Sequence, residues 1–192
     1  MVRSMDRGPI RKDAMGQIER YNQGGIGRRY WDYRDRAVMR HLGDRPIIDV
    51  GCGEMITTKK MGAWGVDIEG PGLPGSAYDI PFPNNYAGTV TLMEVIEHLR
   101  RPWEAIAEIR RVLKPGGRLV MLFPNDRTFK IAWALTGMWG EIGRDRGHVK
   151  QWTPGLMDIL LLKSGFYIVH HQSIPVNCWQ LALHHITVAE KI

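Results

Sequence analysis

The stretch P-I-I-D-V-G-C-G at residues 46–53 constrains the fold of this chain more than any other. A β-branched run with one acid inside it, Ile47–Val50, leads directly into two glycines one residue apart. Such short apolar runs are typical of buried parallel strands. Gly51 and Gly53 supply the conformational freedom of a tight turn, and without a Cβ they let bare backbone approach a ligand. Met55 stands where the third glycine of the dinucleotide-binding fingerprint would fall, so the turn alone is weak evidence.

A second acid follows at the distance expected of a nucleotide-binding fold. Val66 and Ile68 flank Asp67, which lies 14 residues after Gly53 at the end of a second short strand. In nucleotide-binding α/β folds, an acid at this position accepts hydrogen bonds from ribose hydroxyls. Further along the chain, strand-like runs alternate with helical patterns, of which 102–113 is the clearest. This alternation predicts an α/β fold with a doubly wound, mostly parallel sheet.

Length and pattern predict one domain over residues 1–192. Residues 1–25 are basic, and they are expected to be irregular because glycines interrupt them repeatedly. The pattern of residues 26–43 predicts a helix whose apolar face consists of Ile26, Tyr30, Tyr33, Ala37 and Leu42. Residues 126–147 form an insert rich in tryptophan and other apolar residues, which is a candidate lid.

The net charge of +6 is concentrated in the N-terminal part, where residues 1–45 carry 11 Lys and Arg against 6 Asp and Glu. Such a balance fits a nucleic acid or another acidic partner. A solvated, arginine-rich helix is the favoured interpretation, because no nucleic-acid-binding motif accompanies the charge. The sequence therefore leaves nucleic-acid binding open but does not favour it.

Several other classes of protein are disfavoured. No apolar run reaches the length of a membrane span, and the N-terminus lacks the apolar core of a signal peptide. Two cysteines cannot build a disulfide framework, so a reducing cytoplasm is the expected location. The pairs His170–His171 and His184–His185 suggest metal ligands, but adjacent strand residues face opposite sides of a sheet. We therefore predict no metal site from the sequence.

Five motifs, in order and at their spacing, carry a resemblance to a known family. The motifs are I-I-D-V-G-C-G-E (47–54), G-V-D-I (65–68), Y-D-I-P-F-P (78–83), M-E-V-I-E-H-L (93–99) and L-K-P-G-G-R-L-V (113–120). With these motifs the chain resembles the class I S-adenosylmethionine-dependent methyltransferases, in particular the type 11 group, over about residues 45–175. The resemblance implies a seven-stranded sheet of order 3-2-1-4-5-7-6 with strand 7 antiparallel, and S-adenosylmethionine as the cofactor.

The resemblance also implies roles for individual residues. The glycine turn would wrap the methionine part of the cofactor, and Asp49 would anchor either that turn or the cofactor's amino group. The acid of the second strand would bind the ribose, Asp79 with Ile80 would meet the adenine, and Glu94 would open toward the methionine moiety. The cofactor-binding residues so implied are Asp49, Gly51, Cys52, Gly53, Asp67, Ile68, Asp79, Ile80 and Glu94.

Two departures from the family pattern are expected to show in the fold. Only 11 residues separate Asp67 from Asp79, where the family usually has a helix and a full strand. Helix B should therefore be missing and the third strand very short. Met55 replaces a small residue at the start of the first helix after the turn and is expected to press on the cofactor pocket.

Methyl transfer to O, N or C of a small, apolar molecule is the predicted activity. Glu97 and His98 are weak candidates for a catalytic acid or base, since E-H-L also simply opens the loop after strand 4. An RNA or protein methyltransferase that docks through the basic N-terminus, or a catalytically silent cofactor-binding subunit, remains an alternative. The oligomeric state does not follow from the sequence. The candidates to line an acceptor pocket are Tyr21, Tyr30, Trp31, Trp133, Trp139 and His148.

Overall fold

Seven strands form a single sheet in this computed structural model, which describes residues 17–22, 24–135 and 147–192. The strand order is β3-β2-β1-β4-β5-β7-β6; β7 runs antiparallel to both of its neighbours, and the other pairs are parallel. The predicted sheet order and the antiparallel last strand are confirmed. The strands are β1 (Ile47–Val50), β2 (Trp64–Asp67), β3 (Leu73–Pro74), β4 (Ala87–Met93), β5 (Leu113–Pro124), β6 (Phe166–Ile174) and β7 (His184–Lys191).

Six helices lie in the described part of the chain, and a single 3₁₀ turn, Ile96–His98, follows β4. None of these helices combines the length and the apolar character that crossing a membrane requires. The helices are α1 (Gln17–Asn22), α2 (Gly25–Met39), α3 (Ile56–Met61), α4 (Pro102–Val112), α5 (Asp126–Leu135) and α6 (Pro154–Lys163).

The N-terminal segment departs from its prediction in two ways. Helix α1 lies inside the stretch 1–25 that was expected to be irregular. Helix α2 ends at Met39, although the glycine at position 43 was expected to stop it. At its end the backbone N–H of His41 bonds to the carbonyl of Val38 at 3.0 Å, a bond between residues three apart that tightens the last turn.

The buried face of α2 is not the apolar stripe expected from its sequence. Ile26 is 86% exposed, whereas the charged residues Arg34 and Asp35 are buried beside Ala37. Charged side chains are rarely buried unless they are paired. This helix therefore meets charged partners on the sheet, which the periodicity of its apolar residues could not indicate.

The central strands of the sheet are buried on both faces, as expected of a doubly wound fold. Along β5, Leu119 and Met121 pack in the larger core with α4 and α6, whereas Val120 and Leu122 pack against α2 and β7. Successive side chains of a strand point to opposite faces, so an almost continuous apolar strand supplies both cores.

The region after β2 is shortened as predicted. No helix lies between β2 and β3 in the described residues, and β3 has only two residues. A cavity of about 320 Å³ lies beside the strands there, and it is lined by Met55, Trp64 and Leu73 among others. Met55 thus borders the space next to β2 and β3, and Trp64 is left 52% exposed.

Candidate functional site

The glycine turn after β1 is tied to the end of β2. Gly51 and Cys52 both donate their backbone N–H to the carbonyl of Val66, at 2.8 and 3.2 Å. The N–H of Gly53 donates to Oδ2 of Asp67 at 2.7 Å. Gly51 and Gly53 have φ angles of 77° and 51°, in the left-handed region that favours glycine. The turn and the acid predicted to bind the cofactor therefore lie side by side.

Gly51 is also required by the packing of the protein itself. A Cβ at this position would lie 2.3 Å from Cγ2 of Val95, in the loop that follows β4. Such a distance is far below van der Waals contact. The sequence suggested that this glycine leaves room for a ligand, and the structure adds that the β4 loop already occupies the space.

The other residues of the predicted nucleotide site differ in exposure. Asp67 also accepts a hydrogen bond from the backbone of Glu69 at 3.2 Å, and Ile68 is 56% exposed. Asp79 exchanges backbone hydrogen bonds with Ser76 at 3.0 and 3.1 Å, which closes a small loop. Ile80 packs in the core with 1% exposure. Their contacts with ribose and adenine remain predictions.

Asp49 holds neighbouring elements together. Its two oxygens accept hydrogen bonds from the hydroxyls of Thr58 on α3 and Thr91 on β4, both at 2.6 Å. The side chain is buried, and this burial raises the pKa of Asp49 to about 6. In the described residues these hydrogen bonds tie α3 to β4, whereas the N–H groups of the glycine turn bond to Val66 and Asp67, so anchoring of the turn or of the cofactor by Asp49 remains a prediction. The bonds to threonine hydroxyls were not predicted, and the hydroxyl residues within the apolar T-V-T run of β4 were the available signal for them.

The surroundings of Cys52 do not favour a role as a nucleophile. Its Sγ would lie 2.8 Å from a Cβ at Gly65 and 2.6 Å from one at Gly72, so the thiol fills the space left by these glycines. Burial raises the pKa of Cys52 to about 12. A thiol in this state carries almost no thiolate at neutral pH.

Glu94 lies at the carboxyl end of β4, with a φ angle of 55°. A guanidinium group and an imidazole ring both contact its carboxylate. Its Oε1 accepts from Nη1 of Arg34 at 2.8 Å and contacts Nε2 of His184 at 2.7 Å. Burial raises the pKa of Glu94, but Arg34 and His184 outweigh it and hold the pKa well below its usual range. The predicted contact with the methionine moiety would have to share this carboxylate with both partners.

His184, on β7, contacts residues of α2 and α5 in addition to Glu94. Its Nδ1 contacts the hydroxyl of Tyr30 at 2.7 Å, and the rings of Tyr30 and Phe129 lie 5.7 and 5.0 Å from its own. The sequence suggested His184 only as a metal ligand, so this role was not predicted. No local signal reveals it, because Tyr30 lies 154 residues away along the chain.

The remaining acceptor-pocket candidates are only partly described. The rings of Tyr21 and Trp31 stack at 6.0 Å, and the Tyr21 hydroxyl donates to Asp32 at 2.8 Å. Trp139 and the side chain of Trp133 lie outside the described residues. The structure therefore pairs Tyr21 with Trp31, and Tyr30 with His184.

Glu97, His98 and His148 come together beside the loop after β4. One ligand atom from each lies within 4.8 Å of the others, and the two histidine rings meet edge to face at 4.9 Å. Glu97 is 2% exposed, and neither of its carboxyl oxygens has a hydrogen-bond partner among the described residues. Burial raises the pKa of Glu97 well above its usual range and lowers the pKa of His98. No metal ligand set was predicted, and His148 was assigned only to the acceptor pocket.

Comparison with known proteins agrees with this architecture. Residues 48–121 match the model of the type 11 family described as a methyltransferase domain. A ubiquinone/menaquinone biosynthesis C-methyltransferase, UbiE, of Burkholderia vietnamiensis is 44% identical over 52 residues, which are 27% of this chain and 21% of that protein. A demethylmenaquinone methyltransferase of Mycobacterium tuberculosis is 27% identical over 124 residues, covering 55% of this chain and 53% of the relative. The aligned parts thus span between a fifth and about half of these relatives.

The fold has close counterparts among solved structures. An S-adenosylmethionine-dependent methyltransferase of Thermotoga maritima superimposes with a TM-score of 0.73 at 15% identity, covering 91% of this chain and 94% of the other. This fold, together with a methyltransferase-domain match that runs from β1 into β5, agrees with the resemblance of the chain to the class I S-adenosylmethionine-dependent methyltransferases, and S-adenosylmethionine is the cofactor that the matched family and the fold imply.

Proposed function

We propose that this chain transfers the methyl group of S-adenosylmethionine to a small, apolar acceptor. The 2.7 Å hydrogen bond between the N–H of Gly53 and Asp67 carries the proposal, because it sets the acid that we expect to bind ribose beside bare backbone. This arrangement lies at the carboxyl end of parallel strands, where open α/β sheets bind their ligands. The family and the fold make methyl transfer the chemistry to test there.

The chain's own task in such a reaction is mainly to hold two reactants. The bound cofactor supplies a reactive methyl group on a sulfonium cation. In our proposal the turn Gly51–Gly53 wraps the methionine part, Asp67 binds the ribose, and Asp79 with Ile80 meets the adenine. Positioning in line and exclusion of water then account for most of the rate. The candidate base His98 therefore contributes less than the cofactor site.

An acceptor with an apolar ring is the substrate class that we propose. Tyr30 and Phe129 surround His184 at the edge of the sheet beyond Glu94, where an acceptor would approach the donor. Two of the relatives are named for the methylation of quinone precursors. A quinone-like ring is accordingly the first acceptor to test.

Two observations bear on the alternative of a nucleic-acid or protein acceptor. Arg34 is buried and paired with Glu94, and Arg28 lies over the ring of Tyr21 at 4.7 Å. Part of the N-terminal positive charge is thus already used within the protein, which supports a small acceptor. We also propose a single domain and a cytoplasmic location, the latter because the two cysteines, Cys52 and Cys178, are free.

Transfer of a labelled methyl group tests the proposal directly. The chain would be incubated with methyl-labelled S-adenosylmethionine and with lipid-soluble small molecules, RNA or protein as separate fractions. We expect label in the lipid-soluble fraction, and less transfer by the Asp67→Ala variant at a limiting concentration of the cofactor. Label in RNA or in protein would contradict a small, apolar acceptor and would identify that fraction as the acceptor class. Cofactor binding with no transfer to any fraction would indicate a silent cofactor-binding subunit.

A further inference from the structure

We propose that Glu97, His98 and His148 form a binding site for one divalent transition-metal ion. The three residues come from the 3₁₀ turn after β4 and from the segment that precedes α6. Their candidate ligand atoms lie within 4.8 Å of one another. The inference goes beyond methyl transfer, because binding of the ion requires neither the cofactor nor an acceptor.

The carboxyl group of Glu97 is the first argument for a bound cation. It is 2% exposed, and within the described part of the chain neither oxygen has a hydrogen-bond partner. Burying a carboxyl group without partners is costly, and buried charges normally pair or coordinate metals. A cation between Glu97 and the two imidazoles would satisfy this group.

The orientation of the two histidines is the second argument. Nδ1 of His98 lies 3.1 Å from the carbonyl oxygen of Gly147, to which only a protonated nitrogen can donate. Nδ1 of His148 lies 2.9 Å from the carboxylate of Asp126. If both Nδ1 atoms carry the proton in these bonds, both Nε2 atoms present a lone pair. Metal-binding histidines almost always donate their other N–H to a carbonyl or carboxylate in this way.

The fold holds the three residues in place. The backbone N–H groups of Val149 and Lys150 both donate to the carbonyl of Glu97, at 2.8 and 3.3 Å. These bonds fix His148 beside the turn that carries Glu97 and His98. His98 is exposed, so an ion has a path from solvent and the ring has room to adjust. Ligand atoms at about 2.1 Å from an ion stand no more than roughly 4 Å apart, so a small contraction completes the site.

The donor set indicates the class of ion. Two imidazole nitrogens and one carboxylate suit zinc, cobalt or iron better than magnesium, which prefers oxygen ligands. Three protein ligands leave at least one coordination position open to water or to another oxygen ligand. Asp126 acts as a positioning residue, because it orients His148 without contacting the ion.

Titration of the chain, free of any histidine tag and of cofactor, with Co²⁺ tests the site. Calorimetry and the visible absorption of the ion would both be followed, and far-UV circular dichroism would confirm that each variant folds. We expect one equivalent bound, with affinity at least tenfold lower in Glu97→Gln and His148→Ala. Asp126→Asn should weaken binding by about 10–100-fold. His170→Ala removes a histidine on β6 and should leave the affinity unchanged.

Three results would overturn the site. These are the absence of stoichiometric binding, equal affinity in wild type and in the folded Glu97→Gln and His148→Ala variants, and loss of binding in His170→Ala. Glu97→Gln keeps the size of the side chain and removes its charge, so a folding defect is not expected to obscure the result. Calorimetry with S-adenosylmethionine in the presence of a chelator tests the cofactor site separately. Either proposal can therefore fail without the other.

Discussion

Arg34 on helix α2 donates a hydrogen bond from Nη1 to Oε1 of Glu94 across 2.8 Å, and so clamps the N-terminal helix to the end of β4. The same oxygen contacts His184 at the start of β7. Arg34 can thus be buried on α2, because the carboxylate of Glu94 at the carboxyl edge of the sheet pairs with it. This clamp sets where α2 lies relative to the predicted acceptor pocket.

Replacing Arg34 with leucine should lower the free energy of unfolding by about 2 kcal/mol. Removing one partner of a fully buried ion pair costs about 3–5 kcal/mol, and the effect is smaller here because the side chain of Glu94 is 39% exposed. Urea denaturation would measure it. Arg28→Leu is the matched control, since its 3.9 Å pair with Asp32 is exposed and should be worth about 0–1 kcal/mol. Equal losses in the two variants would contradict the clamp.

Gly51→Ala should destabilise the protein more than Gly116→Ala. Both glycines have φ near 70°, which costs an alanine about 1–3 kcal/mol, but a Cβ at Gly116 meets nothing within 4 Å. The clash of Gly51→Ala with Val95 should add about 1–3 kcal/mol. In the double variant with Val95→Ala, thermal unfolding should show partial recovery of stability. The absence of any recovery would mean that the contact with Val95 is not the cause of the loss.

Asp67→Ala should weaken S-adenosylmethionine binding by about 1–3 kcal/mol, the usual cost of leaving buried polar groups unpaired. Isothermal calorimetry would measure the affinity. Asp44→Ala, a change of an exposed acid just before β1, should leave it unchanged. Wild-type affinity in the Asp67 variant would remove this residue from the cofactor site.

The stability of the protein should contain a component from Asp49 that falls as the pH rises. The buried carboxyl has its pKa raised from 3.8 to about 6, so the folded state binds the proton more tightly than the unfolded state. This contribution is fully present below pH 4 and is lost between about pH 4 and pH 6, by up to about 3 kcal/mol. Denaturation of wild type and Asp49→Asn at pH 4 and pH 7 should show the variant gaining relative to wild type. A pH-independent difference would refute the raised pKa.

Deletion of residues 1–23 should raise the KM for the acceptor while the protein stays folded. Helix α1 contacts the rest of the molecule mainly through Ile18, which donates its N–H to Glu54, and through Tyr21. The free energy of unfolding should therefore change little. The effect on KM should depend weakly on salt, because apolar contacts are not screened as exposed charges are. A defect that disappears at high salt would point instead to an electrostatic partner.

The sequence by itself determined those features of the protein that depend only on residues close together along the chain. A β-branched run before Gly51 and Gly53 can hardly form anything but a buried strand and a tight turn, and the acid at Asp67 follows at the matching distance. The 11 residues between Asp67 and Asp79 were too few for a helix and a full strand, so the shortened edge of the sheet followed from chain length alone.

Only the tertiary structure decided which side chains meet across the sheet edge. Arg34 pairs with Glu94 over 60 positions, and His148 joins Glu97 and His98 over 50. No periodicity encodes such pairs, because they depend on strand order and on the antiparallel return of β7, which bring distant segments to the same edge. Arg34 is buried in a helix that was predicted to bury an apolar face, and the carboxyl of Glu97 has no hydrogen-bond partner among the described residues. Both have the same cause, because a charge inside a protein is tolerated according to its neighbours in space, and only the fold supplies those neighbours.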